Sequence, residues 1–288
     1  MKNEELLNNI NKLKICGIDI SIKDIYGDNY ATLEDIDSKL TRVVIPEGIK
    51  VIELGKQLSV GKKQDISLKE LILPESLVTI KGYTFEHFPN LAYVRIPKNI
   101  QNIMVWAFAV CEKLNIGDVL ELENIVEIGA QAFFRTGLRG RVVLGKNLST
   151  LNSGAFQDCN IEEIDLSRCK LLRDLEDCMF QGCIKLRKVI LPNTLKSIGS
   201  NCFYGCIHLE EINIPKELEK IGRCAFRNCR RLKKLDFTES CLKEVYELSF
   251  SYDRELELIL PERVREVCED RYDGMSYLGE KIKSVEYR

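Results

Sequence analysis

The chain has 288 residues, of which 45% are hydrophobic and 30% are charged, so it contains enough apolar side chains for a folded core. Its formal net charge is -2. Phosphate binding requires a concentrated positive field, so this net charge argues against a nucleic-acid partner. Its apolar runs are all shorter than the roughly 18 residues needed to cross a bilayer, so no membrane span is expected.

Residues 1–40 do not share the pattern of the rest of the chain and are expected to form an N-terminal cap. Leu6, Ile10 and Leu13 recur at helical spacing, which predicts a short amphipathic helix followed by an irregular segment. Such a helix would cover the open end of a stacked structure; the alternative is that it docks a partner. The first residues carry two acids and lack the apolar stretch of a signal peptide. This predicts a cytoplasmic location, with the cell surface or secretion as the alternative if a leader was removed.

From residue 41 onward the chain is repetitive, and phenylalanine returns at intervals of 23 to 25 residues. In one of the clearest units Val189 and Leu191 alternate with period two and Pro192 follows, which predicts a short strand that ends at the proline. A single unit cannot bury its own apolar face, whereas stacked units share a continuous core. The phenylalanines are Phe85, Phe108, Phe133, Phe156, Phe180, Phe203, Phe226 and Phe250. The predicted strand positions are Val43/Ile45, Leu71/Leu73, Val94/Ile96, Val119/Leu120, Val142/Leu144, Ile164/Leu166, Val189/Leu191, Ile212/Ile214, Leu235/Phe237, Leu258/Leu260 and Val285/Tyr287.

Two segments depart from the regular period. The polar stretch 61–65 predicts an inserted surface loop. Residues 262–288, in which Tyr272 stands where the next phenylalanine would be, predict a degenerate closing repeat. The expected organisation is therefore a cap over 1–40 and a repeat domain over 41–288.

The repeated unit Ala-Phe-x-x-Cys-x-x-Leu-x-x-Ile-x-Ile-Pro-x-x-Leu-x-x-Ile-Gly resembles the BspA-like class of leucine-rich repeats over residues 41–288. The resemblance implies an α/β solenoid, wound as a right-handed superhelix with a parallel concave β-sheet of about eleven short strands and a non-repeat N-terminal cap. Proteins of this class are mostly surface or secreted proteins of bacteria and parasitic protists, implicated in adhesion and host-protein binding. The resemblance therefore also implies protein binding.

Five cysteines follow a phenylalanine by three residues, so stacking places them in one column: Cys111, Cys159, Cys183, Cys206 and Cys229. Small buried thiols suit a tight turn, while disulfides and a metal site are the alternatives. Cys206 and His208 superficially resemble a Cys–His nucleophile, but no separate orienting acid is indicated. The sequence contains no glycine-rich phosphate loop, no histidine-based metal-binding motif and no nucleophile elbow. The sequence therefore predicts no catalytic, cofactor or metal residue, and a protein that is not an enzyme.

Residues that alternate with the core positions of each strand are expected to face solvent on the concave side. About half of this column is apolar, which indicates a contact surface, although β-propensity alone also accounts for it. Val44 and Ile72 at one end and Ile190 and Ile259 toward the other are the leading candidates. The full set of candidate protein-contact residues is Val44, Ile72, Tyr93, Arg95, Val143, Asp165, Lys188, Ile190, Glu211, Asn213, Lys234, Asp236 and Ile259.

The predicted function is a monomeric, non-enzymatic scaffold that binds a protein partner through the concave face and needs no cofactor. The alternative is a secreted or cell-surface adhesin that binds host proteins, and the remote alternative is a Cys-dependent enzyme. Basic residues accumulate in the later repeats, with acids among them, which predicts a mixed solvated surface or, alternatively, an acidic protein partner. These basic residues are Arg187, Lys188, Arg223, Arg227, Arg230, Arg231, Lys233 and Lys234.

Overall fold

A computed structural model describes residues 18–25, 28–55, 66–250, 255–269, 278–279 and 282–288. The predicted N-terminal helix, the predicted loop 61–65 and Tyr272 lie outside these residues. In chain order the strands are β1 (Ile18–Ile25), β2 (Asp28–Ile36), β3 (Arg42–Val44), β4 (Val51–Leu54), β5 (Glu70–Ile72), β6 (Thr79–Ile80), β7 (Tyr93–Arg95), β8 (Asn102–Ile103), β9 (Val119–Leu122), β10 (Glu127–Ile128), β11 (Arg139–Leu144), β12 (Thr150–Leu151), β13 (Asn160–Asp165), β14 (Asp174–Leu175), β15 (Lys188–Ile190), β16 (Ser197–Ile198), β17 (Glu211–Ile212), β18 (Lys220–Ile221), β19 (Lys234–Asp236), β20 (Glu244–Val245), β21 (Glu257–Leu260) and β22 (Ser284–Tyr287). A 3₁₀ turn (Glu262–Val264) leads into a short helix, α1 (Arg265–Glu269).

The strands predicted from the alternating apolar residues form one side of the solenoid. They pair in parallel as three hydrogen-bonded groups, β3–β5–β7, β9–β11–β13–β15–β17 and β19–β21–β22, rather than as the single sheet that we expected. Within the central group Leu120, Val142 and Ile164 lie in register and are all buried. The prediction of a solenoid of stacked, parallel-stranded repeats is confirmed.

A second set of strands forms the other side. Strands β6, β8, β10, β12, β14, β16, β18 and β20 are each two residues long and end at an apolar residue, which in β10, β16 and β18 is the isoleucine before the glycine of the repeated unit. They pair in parallel as β2–β4–β6–β8–β10–β12 and β14–β16–β18–β20. Up to β20 the described chain returns through this second strand and through turns. Among the described residues, the helical part of the α/β prediction is limited to the last coil, where the 3₁₀ turn and α1 lie between β21 and β22. The return can stay extended because its backbone groups bond to neighbouring coils, as from the Gly199 N–H to the Leu175 carbonyl of the preceding coil at 2.8 Å.

The segment before the first repeat is a β-hairpin in its described part. Strand β1 pairs antiparallel with β2, and β2 then pairs parallel with β4, so that Ala31 lies opposite Ile52. Ala31, Leu33 and Ile36 are buried and extend the core of the array. The expected irregular segment is thus ordered, because β2 can satisfy its backbone groups by adding to the edge of the second side.

The repeated phenylalanines form a continuous stack through the core. All eight are 0% exposed, and successive rings lie 5.2 to 6.0 Å apart between centroids with interplanar angles of 5 to 19°. Rings at this spacing attract one another beyond their apolar burial. Each coil is therefore stabilised mainly by its two neighbours, and the period of the sequence becomes the period of the core.

Candidate protein-interaction face

The long-strand face consists of the outward-pointing side chains of β3, β5, β7, β9, β11, β13, β15, β17, β19, β21 and β22, with the residues that directly adjoin these strands. Alternation of side chains along each strand creates it. In β3, for example, Val43 is buried in the core and Val44, the next residue, is 40% exposed. The face therefore carries two outward columns, one before and one after the buried central residue of each strand.

Apolar side chains are exposed on this face at its N-terminal end. Val44 is 40% exposed, Tyr93 is 41% exposed and Val119 is 54% exposed. Ile72 lies beside Val44 in the β3–β5 ladder and is half-buried. We call these four residues the apolar patch. Val119 was missing from the predicted contact set, because the repeat is irregular around it; its position directly before the core residue Leu120, like that of Tyr93 before Val94, was the available signal.

Charged residues on the same face form pairs that cross from one coil to the next. Arg42 pairs with Glu70 at 3.1 Å and Arg95 with Glu75 at 2.7 Å, so both pairs border the apolar patch. Further along, the pairs are Arg141–Glu163 at 3.2 Å, Lys188–Glu211 at 3.0 Å and Lys283–Glu257 at 2.6 Å. Each exposed pair adds little stability, so their main effect is to balance the charge of the face.

The carboxyl of Asp165 accepts hydrogen bonds from two other side chains. Burial acts to raise the pKa of its carboxyl, but hydrogen bonds from Ser167 and Arg141 outweigh burial and leave the pKa below its usual value. The Ser167 hydroxyl donates at 2.6 Å and Arg141 donates at 2.8 Å. This predicted contact residue therefore has its acceptor positions engaged within the protein.

The C-terminal half of the face offers less free surface than the sequence predicted. Val143 and Ile190 are half-buried, and Ile259 is only 6% exposed, which corrects its assignment as a solvent-facing residue. Ile259 lies between Asp236 and Glu286 in the β19–β21–β22 ladder, so strands flank it on both sides. Asn213 is exposed, but its amide accepts from the Leu191 N–H at 2.7 Å and donates to the Leu191 carbonyl at 3.0 Å.

Two further predicted residues in this half make local contacts. Asp236 accepts a hydrogen bond from the Thr238 hydroxyl at 2.7 Å, and the Lys234 ammonium lies 3.8 Å from Asp236. Both side chains are nevertheless exposed, so Lys234 and Asp236 remain accessible on the face.

The cysteine column lies in the core and bonds to the backbone. Each of its five thiols donates to the carbonyl of a phenylalanine in the preceding coil, at 2.9 to 3.1 Å. Burial raises the pKa of Cys159 to about 12. Thr136 occupies the same position in a coil without cysteine, and its hydroxyl donates to the Phe133 carbonyl at 3.0 Å. In these six coils the position holds a small hydrogen-bond donor, whereas the buried Phe88 occupies it in the coil of Phe85. The bonds to the backbone support the structural interpretation of the thiols.

Cys206 and His208 bond to different backbone groups. The Cys206 thiol is buried and donates to the Phe180 carbonyl at 3.1 Å, while Nδ1 of His208 lies 2.6 Å from the Ile184 carbonyl oxygen. Within the described part of the chain no group of three or more His, Cys, Asp or Glu side chains could hold a metal ion. Across the same residues, no helix has the length and apolar character to cross a membrane.

Solved structures of similar fold are bacterial leucine-rich repeat proteins. One from Bacteroides ovatus has a TM-score of 0.67 at 20% identity, covering 94% of this chain and 75% of its own. The leucine-rich repeat protein of T. pallidum has a TM-score of 0.51 at 23% identity, covering 74% of this chain and 87% of its own. A leucine rich cell surface protein from Faecalibacterium prausnitzii has a TM-score of 0.38 at 16% identity, covering 93% of each chain.

The first two similarities show the fold alone, and a family model provides the assignment. No curated protein matches the sequence. The model of the BspA type leucine-rich repeat region matches in six copies over residues 36–162 and 149–279, which together span most of the chain. With the stacked phenylalanines and the parallel strands, this match shows that the chain belongs to the BspA-type leucine-rich repeat family.

Proposed function

We propose that the protein is a monomeric, non-enzymatic scaffold that binds a protein partner through the N-terminal part of the long-strand face. The observation that carries this proposal is the apolar patch, in which Val44, Tyr93 and Val119 are each at least 40% exposed. Exposed apolar side chains on neighbouring coils, accompanied by charged pairs, are typical of a protein-contact site.

The composition of the patch matches the centre of a protein interface. Tyr93 combines a large apolar ring with a hydroxyl, a side-chain type that often contributes strongly to binding. The pairs Arg42–Glu70 and Arg95–Glu75 provide the polar border. A partner that covers Tyr93 and Val119 would remove apolar area from water while the charged pairs stay hydrated at the rim.

The backbone beneath the patch is held in place before any partner arrives. The central residues of β3, β5 and β7, which are Val43, Leu71 and Val94, are all buried and in register. A surface on such a sheet loses little conformational entropy on binding, which favours affinity. This rigidity supports recognition of a partner of complementary shape.

The experiment that tests the proposal compares three baits in pull-downs from lysate and from extracellular proteins: the native chain, Tyr93→Asp/Val119→Asp, and the control Leu171→Asp/Ile184→Asp. The control pair is as exposed as the patch, at 57% and 48%, but lies off the long-strand face. Proteins captured by the native and control baits but lost with the patch variant, identified by mass spectrometry, would support the proposal. Equal capture by a folded patch variant, with native circular dichroism, would refute it.

The cysteine column favours the cytoplasm as the place where the scaffold acts. Its thiols serve as donors to backbone carbonyls only while they are reduced, and the cytoplasm keeps thiols reduced. Localisation of the tagged protein in its own cells tests this part of the proposal. Detection at the cell surface, with a host protein as the patch-dependent partner, would favour the adhesin instead.

A further inference from the structure

One coil carries a concentration of positive charge. Its residues 230–234, which we call the basic coil, place Arg230, Arg231, Lys233 and Lys234 around the buried Leu232. All four basic residues are exposed, and with Glu210 and Glu255 they line a groove of about 680 Å³. The groove runs from the turn before β19 to the start of that strand, where Lys234 joins the long-strand face.

The neighbouring acids neutralise only part of this charge. Arg231 pairs with Glu210 at 2.8 Å, and Lys234 lies 3.8 Å from Asp236. Arg230 donates to the neutral amide oxygen of Asn228 at 2.6 Å. Among the residues that the structure describes, Arg230 and Lys233 form no ion pair. Two cations of the basic coil are therefore available to an external anion.

The arrangement of charge favours a ligand that lies along the coil. The coils on either side carry acids near these cations: Glu257 lies opposite Lys234 in the β19–β21 ladder, Glu255 lines the groove, and Glu210 and Glu211 lie one repeat before Lys233 and Lys234. Strand ladders are about 4.8 Å apart, so an anionic chain displaced by one coil would meet carboxylates instead of cations. Like-charge contacts of this kind penalise the wrong position.

The spread of cations along the basic coil favours an extended peptide over a single anion as the ligand. Arg230 and Arg231 lie in the turn and Lys234 begins β19, so the cations are spread from the turn to the strand. Acidic side chains on the same side of an extended peptide repeat about every 7 Å. An extended peptide with acids at alternate positions can therefore approach cations at both ends of the coil, whereas one isolated anion contacts only one end.

We propose that the basic coil binds an extended acidic peptide segment of a protein partner, aligned along residues 230–234. The inference rests on the proposed function for the presence of a protein partner and adds the chemistry of one of its segments. Lys234 makes the groove continuous with the long-strand face, so one partner can occupy the apolar patch and the groove together.

The test measures binding of a fluorescent peptide of about eight residues with alternating Glu and Ser, by anisotropy, to the full chain. The variant is Arg230→Glu/Lys233→Glu, and the matched control is Lys146→Glu/Lys170→Glu, two exposed lysines on other coils with the same change in net charge. We expect the native chain and the control to bind, the variant to bind about tenfold more weakly or not at all, and affinity to fall between about 50 mM and about 300 mM salt. A peptide of alternating Lys and Ser should not bind.

Several results would overturn the inference: no binding of the Glu-Ser peptide to the native chain, equal binding to the basic-coil variant, or binding only to phosphatidylserine vesicles. The Tyr93→Asp/Val119→Asp variant separates the two proposals. Because it leaves the basic coil intact, it should keep its affinity for the peptide even while it loses the partner, so failure of one proposal is visible independently of the other.

Discussion

Neighbouring coils approach each other closely at Gly140, so we predict that a larger residue there destabilises the fold. Gly140 has φ +72° and lies in β11, next to a shift of register in its pairing with β13. A Cβ atom added there would lie 2.1 Å from the Asp118 carbonyl oxygen, which belongs to the backbone of the preceding coil. Gly205 is a natural control, because its φ is +76° but an added Cβ would meet no atom closer than 3.9 Å.

The two alanine substitutions share one cost and differ in another. Both place alanine in the left-handed region, which costs about 1–2 kcal/mol. Gly140→Ala must in addition move two coils apart, and overpacking of this kind costs about 1–3 kcal/mol more. We therefore expect Gly140→Ala to lower the free energy of unfolding by about 2–5 kcal/mol and Gly205→Ala by about 1–2 kcal/mol.

Urea titrations followed by circular dichroism measure both values, with the slope of the transition checked against the native chain. If Gly140→Ala costs no more than Gly205→Ala, the close approach to Asp118 does not limit this coil, and the reasoning fails. If both variants match the native chain, the left-handed backbone at the two positions is also refuted.

Three further predictions concern the core and its charges. Phe156→Ala removes a ring stacked on both sides, at 5.4 and 6.0 Å, and should lower the free energy of unfolding by about 4 kcal/mol in urea titrations, whereas a loss below about 1 kcal/mol would contradict the stacked core. In the folded protein at neutral pH, the exposed Cys241 should react with a thiol reagent before the buried thiols of the cysteine column, because burial raises the pKa values of Cys159 and Cys183. Rapid reaction of the column thiols would count against their burial. The pKa of Asp165 is lower in the folded protein than in the unfolded chain, so its contribution to stability is present above the unfolded pKa and is lost as pH falls through the folded pKa. Asp165→Asn should therefore make the free energy of unfolding fall less steeply as pH decreases in the acid range. An unchanged pH dependence would refute this.

The interaction face could be predicted from the sequence only in part. Alternation identified Val44 and Tyr93 as outward residues, and both are exposed. The same rule placed Ile259 outward, although it is 6% exposed, because the pattern of one strand carries no information about what flanks it in space. Val119 was assigned to a strand but not to the contact set, because the irregular spacing around it did not indicate which residues of that strand face outward.

The sequence by itself determined the period, the strands of the long-strand face and the residues of the core. Phenylalanine at a spacing of 23 to 25 residues and alternating apolar pairs were sufficient, because stacking requires every coil to bury the same positions. Only the tertiary structure decided what happens between coils: the second set of strands, the pairing of Arg42 with Glu70, and the groove at residues 230–234. These features depend on contacts between neighbouring coils, which lie about one strand spacing apart in space but some two dozen residues apart in the chain. A local sequence pattern does not specify such contacts.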